Sequence, residues 1–116
     1  MYFVIYLRKV LLKPIFIEKI GNLIGSKYVQ QRMGAFFILA NIVAIGGKIS
    51  VGVLLNQFGV YGKSRDWIYT EENEPVIWEA LKFFVNSIYS ANEEQMFYLL
   101  ETGLIQVIVV FYSGFC

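Results

Sequence analysis

Residues 34–47 read GAFFILANIVAIGG, and residues 79–92 read EALKFFVNSIYSAN. Each is an apolar run interrupted by a single Asn. Laying Ala35 on Ala80 places Asn41 on Asn86, both at an offset of 45 residues. Farther along, LLNQFGV (54–60) lies over YLLETGL (98–104), with Gly59 on Gly103 at an offset of 44. Both copies read as a long apolar helix bearing one Asn, a short loop, a second helix ending near a Gly, and a third segment opening on an aliphatic residue. A period in the forties built of three helices predicts an all-α solenoid.

The helical reading extends along the chain, because apolar residues recur at spacings of three and four and strict alternation is rare. Helices are expected near 3–12, 14–24, 29–45, 48–58, 75–90, 93–101 and 103–113. Pro75 suits a first helical turn, where its missing N–H costs nothing. Ser90-Ala91-Asn92-Glu93 fits a capping box. Gly46-Gly47, Gly59 and Gly103 are natural breaks. The long polar segment YGKSRDWIYTEENE (61–74) is expected to hold a short helix around Arg65–Tyr69 and then a loop. In that short helix Trp67-Ile68 forms the buried end.

Composition removes several functions. The chain has 116 residues, 57% of them hydrophobic and 17% aromatic, enough for one small domain and too apolar for disorder. The lone Cys116 excludes an internal disulfide framework and a Cys-cluster zinc site. The absence of His removes His-based metal sites and the commonest general base. Glu71, Glu72 and Glu74 lie in a polar loop without metal-ligand spacing, so no catalytic set is expected there. No phosphate-loop pattern occurs. The chain is therefore expected to be non-enzymatic and to need no cofactor. The charge-free runs Met33–Gly47 and Thr102–Cys116 hold 15 residues each, short of the roughly 18–20 that span a bilayer. A small helical membrane protein using 33–62 and 98–116 is kept as an alternative, although the expectation is no membrane. Residues 1–65 carry nine of the ten Lys and Arg, and residues 66–116 carry eight of the nine acids. Such a gradient can bias stacking or charged partners. The bases are interleaved with Leu and Ile instead of lining one face, so nucleic acid is not expected as a partner.

The second copy, EALKFFVNSIYSANEEQMFYLLETGLIQVIVVF (79–111), resembles an armadillo repeat, and most closely the C-terminal repeats of importin-alpha. Glu79, Ala80, Asn86, Ile88, Glu94-Gln95, Leu99, Gly103 and Ile105 fall on or near pattern positions. In the first copy Ala35, Asn41, Ile42 and the Gly pair do so. The resemblance covers about residues 20–114. It implies a single armadillo-like domain over 1–116, with approximate repeats 26–70 and 71–116 and a partial repeat formed by the N-terminal helices 3–24.

The resemblance further implies a protein-binding adaptor for nuclear import, working in cytoplasm and nucleus. It would bind extended Lys/Arg-rich localisation peptides on a concave face and be handed to an importin-beta-type carrier. No Arg-rich carrier-binding segment stands in this chain, so a fragment of a longer adaptor or a divergent copy is expected. The peptide-contacting positions would be Asn41 and Asn86, which clamp the peptide main chain, and Glu79, an acidic contact. Phe37 and Lys82 stand where the family carries Trp clamps. Phe37 is a weaker cation–π partner than Trp, and Lys82 repels a basic side chain. A generic armadillo scaffold unrelated to transport is the further alternative. For the two Asn residues, the competing reading is an amide bonding the neighbouring repeat's backbone. The apolar, uncapped end LIQVIVVFYSGFC (104–116) points to a missing partner, a further repeat or self-association.

Overall fold

A computed structural model describes residues 12–56 and 59–114. All the regular structure among them is helical: α1 Pro14–Ile24, α2 Val29–Gly46, α3 Lys48–Asn56, α4 Val60–Ile68, α5 Glu74–Ser90, α6 Glu93–Glu101 and α7 Leu104–Gly114. The helix expected over 3–12 lies almost wholly outside the described residues, and so do the last two positions of the one expected over 48–58.

The helices form where an apolar stripe recurs at helical spacing. α5 buries Val76, Ile77, Ala80, Leu81, Phe83, Phe84 and Ser87, successive members being one to three residues apart and filling one broad face. α2 buries Ala35, Phe36, Leu39, Ala40, Ile42 and Val43. Among the described residues these two helices make the most extensive contact. α1 packs on α4 and α3 packs on α6, so the packing recurs at an interval of three helices. Phe83 sits at the centre. Its ring lies 6.5 Å from Phe36 and 5.6 Å from Phe84, and it stacks on Tyr61 of α4 at 5.1 Å. Burying each such ring stabilises the fold by about 1.5–3 kcal/mol. The Tyr61 hydroxyl donates to Ser87 Oγ at 2.8 Å, and Ser87 donates back to the Phe83 carbonyl at 2.7 Å. Burial pushes the Tyr61 phenol well above its ordinary range, and the Ser87 bond opposes this only in part.

The breaks fall at Gly47, Gly59 and Gly103, all with positive φ, a conformation cheap only for Gly. Gly52 has a different task. A Cβ there would stand 3.0 Å from Gln95 Nε2. Its absence lets the Gln95 amide pass and donate to the Lys48 carbonyl at 2.7 Å, tying α6 to the first turn of α3.

Three local expectations are corrected. α4 is nine residues long and begins at Val60, well before Arg65. Its buried stripe, Val60, Tyr61, Ser64 and Ile68, has helical spacing, but Gly62-Lys63 and Arg65-Asp66 mask it as loop. The capping box belongs to Asn92 and Gln95, not to Ser90 and Glu93. Gln95 N–H donates to Asn92 Oδ1 at 2.8 Å, and Asn92 N–H donates to Gln95 Oε1 at 3.1 Å. Ser90 is held elsewhere, donating to the Val43 carbonyl at 3.1 Å. Ile68 is buried as expected, whereas Trp67 stays 38% exposed.

Glu71, one of the three acids of the polar loop, is structural. Arg32 of α2 grips its carboxylate with two parallel bonds, Nε to Oε1 at 2.7 Å and Nη2 to Oε2 at 2.9 Å. Arg32 Nη1 also donates to the Ser26 carbonyl at 2.8 Å. Both side chains are largely covered, with 12% of Arg32 and 3% of Glu71 exposed. Burial pushes the Glu71 carboxyl up, but the Arg32 guanidinium and the backbone N–H groups of Asn73 and Glu72 outweigh it, so the group ends below the usual carboxylate range. A folded-state pKa lower than the unfolded one stabilises the fold above the unfolded value, and that contribution is lost as pH falls through the folded one. Urea unfolding at stepped pH should therefore show stability declining through the acid range below the normal carboxylate pKa. Glu71→Ala should lose about 3–5 kcal/mol at neutral pH by stranding the Arg32 charge and flatten that acid decline.

Candidate functional site

The five residues singled out from the sequence lie on the two long helices that pack together. On α2, Phe37 and Asn41 are one turn apart and share a face. Both are exposed, Phe37 by 58%. On α5, Glu79, Lys82 and Asn86 are spaced three and four apart and share a face for the same reason. The two helices meet at a seam fixed by hydrogen bonds. Asn86 Nδ2 donates to the Ala40 carbonyl at 3.2 Å, and Ser90 donates to the Val43 carbonyl one turn later.

The two Asn side chains are not equivalent. Asn41 Nδ2 donates to the Phe37 carbonyl of its own helix at 2.8 Å. Asn86 bonds the backbone of the other copy, as the stacking reading of this residue expects. Each amide has two N–H donors and an acceptor oxygen. One donor of each is engaged, and among the described residues nothing donates to either Oδ1. Both amides can therefore still receive an N–H and offer one, which is what an extended main chain presents.

The charges on this face cancel. Lys82 Nζ lies 3.2 Å from Glu79 Oε1. The two are unequally placed, with Lys82 62% exposed and Glu79 only 18%. The acid is partly covered while the ammonium stands in solvent. Lys82 is thus Glu79's neighbour and counter-charge, and the expected acidic contact is already partnered.

One exposed residue beside the Asn86 amide was not singled out from the sequence. Tyr89 is 92% exposed. Tyr89 follows Asn86 by three residues, so helical spacing alone could have placed it beside the amide. Trp67 belongs to α4, and Trp78, one turn before Lys82 on α5, is engaged with α7. Trp67 faces Gly25, and Trp78 stands edge-on to Tyr112 at 5.4 Å and donates to Glu74. A separate groove of about 750 Å³ lies between α3 and α6, bordered by Asn56, Arg65, Glu94 and Tyr98. Its Arg65 is engaged, donating to the Thr102 carbonyl at the end of α6 and pairing with Asp66. No group of three or more His, Cys, Asp or Glu side chains among the described residues could hold a metal ion.

No family model, curated protein or solved structure matches this chain.

The unequal bonding of the amides has a measurable consequence. Asn86→Ala should cost about 1 kcal/mol in chemical denaturation, the worth of one hydrogen bond. Asn41→Ala, at an exposed position, should stay within about 0.5 kcal/mol of the parent.

Proposed function

We propose that this chain is a non-catalytic peptide-binding adaptor, built as a short armadillo-type solenoid. The observation that carries the reading is the repeated amide. Asn41 and Asn86 occupy corresponding turns of two long helices packed side by side, each with hydrogen-bonding capacity left over. An extended peptide crossing the seam would exchange main-chain bonds with both. Packing that recurs every three helices, at the spacing where the sequence repeats, supports the solenoid part of the proposal. By the resemblance to importin-alpha, the bound segment would belong to a protein cargo destined for the nucleus. An importin-beta-type carrier would be the further partner.

A small helical membrane protein is the second reading, and one observation favours it. α2 has 18 residues and a mean hydropathy of 1.3, long and apolar enough to cross a membrane. Yet 39% of it is buried inside the protein, and the buried part includes the residues that meet α5. A core helix of a water-soluble domain has the same composition for that reason.

Anisotropy titration of labelled extended peptides into the chain, purified without detergent, tests the proposal. Saturable binding should appear and should weaken by about fivefold or more in Asn41→Ala, the loss of one amide contact of about 1 kcal/mol. A folded chain that binds no extended peptide refutes the adaptor role. A chain that stays in solution only with detergent supports the membrane reading instead.

A further inference from the structure

We infer that the outward faces of α6 and α7 dock the α1 end of a second copy of this chain, head to tail. The inference is independent of the peptide-binding reading and uses surfaces other than the α2–α5 seam.

α7 sets the surface that needs covering. That helix carries no charged residue. Its Leu104 and Val107 are buried, while Ile105, Val109 and Tyr112 are exposed, Val109 by 58%. The exposed three are spaced four and three apart, so they form one stripe along the outer side. A helix that is apolar on both sides is ordinarily enclosed. α6, which packs on α7, is likewise exposed at Phe97 and Leu100, by 61% and 47%. Glu93 lies one turn before Phe97 and Glu101 one turn after it, on the same side of α6. The apolar surface is thus edged by acids.

The charges identify the occupant. Arg32, Arg65 and Lys82 are paired within the chain. Lys13, Lys19, Lys27, Lys48 and Lys63 have no ion-pair partner among the described residues, and before Glu72 they face a single unpaired acid, Glu18. From Glu72 onward every unpaired charge among the described residues is an acid, Glu93 and Glu101 included. Once the internal pairs are set aside, one half of the fold is basic and the other acidic.

On the basic half α1 presents Ile15, 63% exposed, with Lys19 one turn later on the same side and Lys13 at the N-cap. An apolar residue flanked by bases complements Phe97 and Leu100 flanked by acids. Inside one chain these surfaces have different neighbours, α1 packing on α2 and α4, and α7 on α5 and α6. Pairing two α6–α7 faces would set acid against acid, which selects against that arrangement. The contact therefore joins unlike surfaces, and each pair keeps one free end of each kind.

Sedimentation velocity of the full chain, purified without detergent and run over a wide range of concentration, tests this. The average mass should rise above one protomer with concentration, and less steeply at higher ionic strength, where charge attraction is screened. Val109→Gln, at an exposed position, should weaken association by about tenfold and leave the thermal melt by circular dichroism unchanged. Glu93→Lys/Glu101→Lys and Lys13→Glu/Lys19→Glu should each abolish self-association, and mixing the two variants should restore it. Glu101→Lys alone, in a last turn where a cation suits the helix dipole, replaces the first double variant if that one fails to fold. Self-association that survives Lys13→Glu/Lys19→Glu overturns the inference, because the α1 end is then not the occupant. A chain that stays monomeric throughout overturns it as well, and flotation of that chain with phosphatidylcholine vesicles would assign the face to a lipid surface.

Discussion

The Arg32–Glu71 ion pair joins three separate stretches of chain. Arg32 belongs to α2, Glu71 to the link between α4 and α5, and the Ser26 carbonyl that also receives Arg32 to the turn between α1 and α2. A guanidinium is suited to this position because its rigid fork satisfies a carboxylate with two parallel bonds and keeps donors for a third group. Lys could not replace it. The pair fixes where the polar link returns to α2, and so where α5 begins. Pro75 in the first turn and Asn73 before it then start α5 in a direction already set.

Once α5 is aimed, apolar packing and directed polar bonds divide the work. Phe36, Phe83, Phe84 and Tyr61 supply most of the burial at the centre, and such contacts are non-directional. Many slightly shifted arrangements of α2 against α5 would bury similar area. Three side chains of the second copy choose among them. Asn86 reaches the Ala40 carbonyl, Ser90 the Val43 carbonyl and Gln95 the Lys48 carbonyl. Each bond is worth only about 1 kcal/mol. The first two fix the register of α2 on α5, because a slide of one residue would break both, and the third fixes α6 on α3.

Much of this was legible in the sequence. The offset of 45 residues between the Asn positions identified the two helices that pack most extensively, and Gly47, Gly59 and Gly103 were recognisable as breaks. What escaped was of two kinds. The stripe of α4 was hidden because its solvent side carries Gly62, Lys63, Arg65 and Asp66, residues that local propensity assigns to loops. The partners of long polar side chains were hidden because they depend on distant backbone. Asn92 and Gln95 stand at capping-box spacing, as Ser90 and Glu93 do, but nothing near Gln95 announces its bond to Lys48, and nothing near Glu71 announces Arg32, 39 residues earlier. The seam face was half legible. Asn41 and Asn86 stood out as polar interruptions of apolar runs, while Tyr89 did not, because an aromatic residue in an apolar helix reads as core until its exposure is seen.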